Sequence, residues 1–129
     1  MNVVDSSCWL EFAVNSPIKE VVAPIIFDEK HLIVPTIVLY EVFKKLSALN
    51  GTIYAEEFVQ AMLDGHIVPL DSSLSISAAN ISRKYKLAMA DSIVYATAQK
   101  HDAVLWTTDK HFEGLPNIRY FDKTQSNTQ

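Results

Sequence analysis

Four acidic residues occupy positions from which their carboxylates can converge: Asp5, Glu41, Asp91 and Asp109. Asp5 and Asp109 each follow a short apolar run, Asp91 opens a helical stretch, and Glu41 lies about one turn inside another. In open parallel α/β sheets, ligands bind at the carboxyl ends of the strands. Crowded carboxylates repel one another unless a cation lies among them, and hard oxygen ligands select Mg²⁺ or Mn²⁺. The spacing therefore predicts that at least two of these acids meet in a metal site.

Each acid also has an ordinary structural interpretation. Aspartate is a favoured helix N-cap and suits the positive end of the helix dipole, which would account for Asp91. Glu41 is spaced for an i,i+4 ion pair with Lys45. Asp71 precedes Ser72-Ser73 and is most simply a helix cap. The metal hypothesis therefore depends on whether the folded chain brings the acids together.

The elements that must position these acids follow from apolar runs and turn residues. Strands are predicted at Asn2–Val4, His31–Val34, His66–Leu70, Ala103–Trp106 and Ile118–Phe121. Helices are predicted at Cys8–Val14, Ile18–Phe27, Ile37–Leu49, Ile53–Leu63, Ser72–Tyr85 and Ala90–His101. The order of strands and helices predicts an α/β sandwich with a mostly parallel sheet.

Three local features refine these elements. The predicted N-caps are Ser6 or Ser7 for the first helix, Thr36 for the third and Thr52 for the fourth. Pro24 is expected to kink or break the second helix. The third and fourth helices, separated by Asn50-Gly51, are predicted to form an αα-hairpin.

Composition limits the class of protein. The chain has 129 residues, a net charge of −4 and 49% hydrophobic residues, which fits one globular domain. A pI near 5.5 argues against a general nucleic-acid coating protein. Cys8, the only cysteine, is expected to be a buried thiol. We find no signal peptide or apolar run long enough to span a bilayer, and therefore expect a cytoplasmic protein.

Several familiar sites are missing from the sequence. No Cys/His spacing suited to zinc occurs, and neither GxxxxGK[ST] nor GxGxxG is present. A Ser–His–Asp set cannot be identified from the sequence. The acidic residues are therefore the main candidates for chemistry.

In four places, in order along the chain, the sequence resembles the PIN-domain family, most closely the ribonuclease toxins of VapBC toxin–antitoxin pairs. The matching segments are Asp5-Ser6 after the first strand, Pro35-Thr36 through Glu41-Val42, Ala90-Asp91 through Ala98, and Thr107 through Phe112. The resemblance covers nearly the whole chain. It implies a PIN-like three-layer sandwich with a four- to five-stranded sheet flanked by helices. A single domain would span residues 1–122, with 123–129 as a polar C-terminal tail.

The same resemblance implies an Mg²⁺- or Mn²⁺-dependent endoribonuclease whose metal ligands are Asp5, Glu41, Asp91 and Asp109. Thr107 matches the hydroxyl residue that the family places before the last acid, whereas Thr108 stands where family members often carry a basic residue. The implied partners are an RNA substrate, a cognate antitoxin protein and a second copy of the chain. Lysine and arginine side chains that could guide RNA are Lys44, Lys45, Arg83, Lys84, Lys86 and Lys110. Aromatic side chains that could contact an antitoxin are Tyr40, Phe43, Tyr54 and Phe58.

Two alternatives remain open at the level of sequence. The first is an RNA-processing nuclease of the same fold with no toxin role. The second is a phosphoacceptor signalling domain, in which Asp71 would be phosphorylated and Lys123 would be its partner. Such domains carry two adjacent acids after the first strand, where this chain has Asp5 alone.

Overall fold

Five short apolar runs form one sheet in the computed structural model, which describes residues 1–123. The strands are β1 (Asn2–Val4), β2 (Leu32–Pro35), β3 (His66–Val68), β4 (Val104–Thr107) and β5 (Ile118–Tyr120). They lie in the order β3-β2-β1-β4-β5, and every neighbouring pair is parallel. The predicted parallel sheet is confirmed, with strand ends displaced from the prediction by two residues at most.

Six α-helices flank the sheet: α1 (Ser6–Ala13), α2 (Ile18–Phe27), α3 (Thr36–Asn50), α4 (Thr52–Met62), α5 (Ser72–Tyr85) and α6 (Met89–Lys100). Two 3₁₀ turns, Glu29–His31 and Lys110–Phe112, lie beside β2 and after β4. Parallel strands need crossover connections, which are right-handed. From β1 to β3 the chain adds strands toward one edge of the sheet, and from β3 it returns across the sheet to β4. Right-handed connections in these two opposite directions lie on opposite faces, so α1–α4 cover one face and α5–α6 cover the other.

The core lies around the central strands and α6. Val3, Val4, Ile33 and Val34 are almost inaccessible to solvent because β1 and β2 are covered on both faces. Every residue of α6 from Ser92 to Ala98 is buried as well. On the opposite face, α3 and α4 pack against each other and confirm the predicted αα-hairpin. Cys8 is buried as expected.

Several predicted helix caps are wrong. Thr36 and Thr52 are the first residues of their helices, and neither helix has a side-chain cap. The first helix begins at Ser6, so Asp5 holds the N-cap position, but its carboxylate makes no capping bond. Asp71 is a true cap, because its Oδ1 accepts a hydrogen bond from Leu74 N at 2.8 Å.

The predicted break at Pro24 is also wrong, since α2 runs unbroken from Ile18 to Phe27. Proline cannot donate to the carbonyl four residues earlier, here that of Glu20. Both Pro24 and Glu20 are exposed, so water can solvate that carbonyl and the helix continues. Within residues 1–123, no helix has the length and apolar character needed to cross a bilayer.

The pairing of β1 with β4 determines where a site can form. The two strands are neighbours in register, with Val4 opposite Trp106, and Asp5 N donates to Trp106 O at 2.9 Å just beyond them. The helix that follows β1 lies on one face of the sheet, and the helix that precedes β4 lies on the other. Because the two connections diverge, a crevice forms at the carboxyl ends of these strands. Asp5 and the residues after β4 lie at this crevice.

Candidate active site at the carboxyl ends of β1 and β4

Asp5 is a buried carboxylate held by two hydroxyl groups. Only 3% of the residue is exposed. Ser7 Oγ donates to Asp5 Oδ2 at 2.8 Å, and Thr107 Oγ1 donates to the same oxygen at 2.9 Å. Burial raises the pKa of Asp5, and the Asp109 charge raises it further, while the two hydroxyl groups lower it. These bonds fix the orientation of a carboxylate that is costly to ionise.

The same two hydroxyl groups also hold the chain beyond β4. Ser7 Oγ accepts from Thr108 N at 3.0 Å, and Thr107 Oγ1 accepts from Asp109 N at 2.9 Å. Each hydroxyl therefore donates to Asp5 and accepts from the backbone that carries Asp109. This network sets the position of Asp109 relative to Asp5 across two neighbouring strands.

Asp91 lies in the first turn of α6 and does not cap it, so the capping interpretation is wrong. The helix begins at Met89, two residues before Asp91, and its N-cap residue is Ala88, which has no side-chain capping bond. Asp91 is half-buried at the start of the most buried helix. Because the Asp91 carboxylate is not used to cap the helix, it is available to bind a ligand in the crevice.

The pKa of Asp91 is raised to about 7 from an ordinary value of 3.8. The largest cause is burial, followed by the charges of Asp109 and Asp5. A hydrogen bond between the Asp91 and Asp109 carboxyl groups also favours the protonated form, and Glu41 adds a smaller repulsion. Four acids at different places in the sequence therefore act on one another electrostatically.

Glu41 faces the same crevice from α3. Its pKa is raised, first by burial and then by the charge of Asp5, while a hydrogen bond with Ser6 opposes the shift. No ion pair with Lys45 is present within residues 1–123, so the predicted i,i+4 pair is wrong. The charges of Asp5 and Asp109 both raise the pKa of Glu41, so its carboxylate belongs to the same electrostatic group.

Asp109 begins the 3₁₀ turn Lys110–Phe112, and its Oδ1 accepts from His111 N at 2.9 Å. The His111 ring folds back, so that Nδ1 lies 2.6 Å from the same oxygen. This hydrogen bond is the main cause of the raised pKa of His111. The turn is anchored by Phe112, which is fully buried.

The donor set fits a divalent cation. One potential ligand atom from each of Asp91, Asp109 and His111 lies within 4.8 Å of the others. Asp5 and Glu41 lie outside this compact group, but their charges act on Asp91. Carboxylates whose pKa values are raised by burial and mutual repulsion would be relieved by a cation, and their oxygens suit Mg²⁺ or Mn²⁺.

A surface groove of about 490 Å³ runs beside Glu41 along α3. Its lining includes Ser6, Tyr40, Lys44 and Lys45. Lys44 Nζ lies 5.7 Å from the centre of the exposed Tyr40 ring. The groove therefore adjoins the acidic crevice and contains two cationic side chains and one aromatic ring. Arg83 lines a separate groove between α5 and α6.

Two of the four aromatic residues predicted as partner contacts are exposed, and two are not. Tyr40 and Tyr54 are exposed, whereas Phe43 and Phe58 are partly buried against the core. Phe58 packs edge-on against Trp9 at 6.1 Å between ring centres. The surface of the αα-hairpin also exposes Leu49 and Ile53.

Asp71 and Lys123, the pair required by a phosphoacceptor domain, each have another partner. Besides capping α5, Asp71 Oδ2 lies 4.0 Å from Lys100 Nζ. Lys123 Nζ lies 3.8 Å from Glu11 Oε2. These contacts give both side chains structural roles. Residues 124–129, most of the predicted tail, lie outside the described residues.

The sequence does not reveal the roles of two side chains at this crevice. Ser6 and Ser7 are both candidate caps of the first helix, but the position of Ser7 two residues after Asp5 lets its hydroxyl turn back to the carboxylate. His111 lies within the segment Thr107 through Phe112, where no role is predicted for it. The signal for it is the Asp109-Lys110-His111 spacing, which a tight turn converts into a contact.

Comparison with known proteins identifies this arrangement. The model of the PIN domain family matches residues 3–117. A comparison with curated proteins gives no match. The chain is similar to a solved toxin–antitoxin complex from Klebsiella pneumoniae, with a TM-score of 0.78 and 19% identity over 92% of this chain and 96% of that one.

Two further solved structures have the same fold. VapBC2 from Rickettsia felis, bound to a promoter DNA fragment, gives a TM-score of 0.72 and 12% identity over 94% of this chain and 98% of that one. VapC20 from Mycobacterium tuberculosis is described as a sarcin–ricin loop cleaving toxin. It gives a TM-score of 0.70 and 16% identity over 92% of this chain and 99% of that one. At such identities, the similarity establishes a shared fold.

Proposed function

The chain belongs to the PIN-domain family, and from that premise we propose that it is a metal-dependent endoribonuclease, the toxin of a toxin–antitoxin pair. The observation that carries the proposal is the acidic crevice, where the charges of Asp5, Glu41 and Asp109 all oppose ionisation of Asp91. A stable fold gains nothing from such repulsion, whereas a cation-binding site does. Asp5, Glu41, Asp91 and Asp109 would hold Mg²⁺ or Mn²⁺.

When bound, the ion would supply an activated water and charge stabilisation for cleavage of a phosphodiester bond. The chain itself would supply orientation. Thr107 and Ser7 fix Asp5 and the Asp109 backbone together, so two ligands from different strands keep one relative position. Thr107 is therefore a positioning residue in this proposal.

RNA would enter along the α3 groove. Lys44 and Lys45 offer cations for backbone phosphates, and the exposed ring of Tyr40 offers a stacking surface for a base. The acids alone would repel a polyanion, and the bound cation would reverse the local sign of charge. The acidic pI of the whole chain is compatible with this local arrangement.

The proposed partners are a cognate antitoxin and a second copy of this chain. Solved structures of similar fold include toxin–antitoxin complexes. The exposed apolar side chains of the αα-hairpin, including Tyr54 and Ile53, provide a surface on which an amphipathic helix can dock. Light scattering of the purified chain, alone and with an antitoxin encoded beside it, tests both partners.

Cleavage of a labelled cellular RNA pool tests the enzymatic proposal. We expect cleavage with Mg²⁺ or Mn²⁺ by the wild type, none in excess EDTA, and cleavage reduced about 100-fold or more by Asp91→Asn. Undiminished cleavage in EDTA, by a preparation free of contaminating nucleases, would contradict metal dependence. Sequencing of RNA 5′ ends after a pulse of expression would then identify the target.

A further inference from the structure

His111 lies outside the acidic quartet, yet its ring is held at the same crevice. The 3₁₀ turn that carries it is fixed at one end by Asp109, whose carbonyl accepts from Phe112 N at 3.1 Å. At the other end, the fully buried Phe112 packs against Tyr95, with 6.0 Å between ring centres. The imidazole is 75% exposed but sits on an anchored turn, so its Nδ1 is directed at the Asp109 carboxylate.

The geometry of this group is close to that of a coordination sphere. Atoms from Asp91, Asp109 and His111 lie within 4.8 Å of one another. Ligand atoms about 2.1 Å from one ion lie about 3 Å apart when adjacent and about 4.2 Å apart when opposite. The 2.6 Å contact between His111 and Asp109 would have to widen slightly, and separations near the 4.8 Å limit would have to shorten slightly, so small side-chain movements would enclose one ion.

Resting on the function proposed above, we propose that His111 is a nitrogen ligand of the metal site, beside Asp91 and Asp109. Oxygen donors alone suit Mg²⁺, which rarely accepts nitrogen in proteins. An imidazole suits transition metals, which bind mixed nitrogen and oxygen sites more tightly. A site containing His111 prefers Mn²⁺ to Mg²⁺, and replacing the imidazole shifts that preference.

Ligation replaces a proton with a metal ion. In the metal-free protein, an Nδ1–H can donate to Asp109 Oδ1 across the 2.6 Å contact. A neutral imidazole binds an ion through the nitrogen that carries no proton, so ligation by Nδ1 requires the tautomer with its proton on Nε2. The ion would then take the place of the hydrogen bond between the ring and the Asp109 carboxylate.

A second Asp–His pair in the same chain provides a matched control. His31 Nδ1 lies 3.0 Å from Asp28 Oδ2, and both side chains are about half exposed. Within residues 1–123, no third residue joins this pair to make a group of three ligand atoms. An imidazole beside a carboxylate is thus present at both places, but only His111 has Asp91 as a further ligand.

The direct test is electron spin-echo spectroscopy of Mn²⁺ added to the metal-free, full-length protein. We expect nitrogen modulation from a directly bound imidazole in the wild type and in His31→Ala, and its loss in His111→Ala. His111→Gln retains a hydrogen-bonding side chain on the turn and should also lose the signal. Thermal unfolding of each variant establishes that it is folded.

Metal affinities give an independent readout that does not require catalysis. Isothermal titration should show Mn²⁺ binding weakened about tenfold or more in His111→Ala, with Mg²⁺ binding nearly unchanged. His31→Ala should change neither. Equal weakening of both ions would mean that His111 only positions Asp109, and would overturn the proposal.

Other outcomes are equally decisive. Mn²⁺ binding without nitrogen modulation in the wild type, or modulation that survives in His111→Ala, would overturn the proposal, as would failure of Mn²⁺ to bind at all. Failure of the proposed function has a different signature: nitrogen-coordinated Mn²⁺ in a protein that does not cleave RNA. The two proposals can therefore fail separately.

Discussion

Two helices of this molecule start beside an aspartate, and the two aspartates do opposite things. At the start of α5, Asp71 is exposed and caps the helix through a 2.8 Å hydrogen bond with Leu74 N. At the start of α6, Asp91 is half-buried, caps nothing, and has its pKa raised to about 7. A cap stabilises the fold, whereas a crowded carboxylate destabilises it, so the functional candidate is the residue without a structural role.

The largest difference should appear in activity. Asp91→Asn should reduce RNA cleavage by about 100-fold or more, because it removes a ligand of the catalytic ion. Asp71→Asn should leave cleavage unchanged, since asparagine caps a helix as well as aspartate does. Expression of the wild type or Asp71→Asn alone should arrest bacterial growth, and Asp91→Asn should relieve the arrest. Equal toxicity of Asp91→Asn at equal soluble level would remove Asp91 from the site.

The stabilisation that metal binding provides should also differ between Asp91→Asn and Asp71→Asn. An ion at a hundred times its dissociation constant stabilises a folded protein by about 2.7 kcal/mol. Wild type and Asp71→Asn should gain this amount from Mn²⁺ in thermal unfolding, and Asp91→Asn much less. A gain in Asp91→Asn as large as in the wild type would place the ion elsewhere.

Without metal, Asp91→Asn should be more stable than the wild type at neutral pH, by on the order of 1 kcal/mol after allowance for solvent screening of a half-exposed group. The folded protein holds the Asp91 proton up to a pKa of about 7, whereas the ordinary value is 3.8. Over that interval the folded state binds more protons, so wild-type stability falls as pH rises. The advantage of Asp91→Asn should therefore be greatest above pH 7 and vanish below 3.8.

Chemical denaturation of both proteins in EDTA, repeated across this pH range, measures the difference. Asp71→Asn is the control and should show no such pH-dependent advantage. A constant loss of stability in Asp91→Asn at every pH would mean that the carboxylate stabilises α6 after all.

The smallest effect should be that of removing the cap itself. Asp71→Ala should cost about 1 kcal/mol and Asp71→Asn a few tenths, because only alanine removes the acceptor for Leu74 N. The corresponding Asp91→Ala should lose no capping energy. Comparison of urea midpoints for these three variants measures these differences. A similar loss of stability in Asp71→Asn and Asp71→Ala would mean that Asp71 stabilises α5 through its charge alone.

Sequence reasoning identified the strands because each is an apolar run bounded by polar residues, and two of the four acids lie where such runs end. The predicted helix Ala90–His101 differs from α6 by one residue at each end. The sequence leaves capping by Asp91 open because Ala88, the residue at the N-cap position, is not a capping type. The bond between Thr107 and Asp5 depends on β1 lying next to β4, and no local pattern encodes strand order. The direction of the His111 ring depends likewise on the turn that follows Asp109.

The bond from Thr107 to Asp5 also bears on when the site can exist during synthesis. Its two residues are separated by 102 positions, so the ribosome makes Asp5 long before the residue that orients it. At about 5–20 residues per second, the interval is roughly 5–20 s. Throughout that time β1 lacks its neighbour β4, and the acids cannot assemble. A nascent chain with the proposed activity therefore cannot cut its own messenger RNA until β4 and Thr107 have been synthesised.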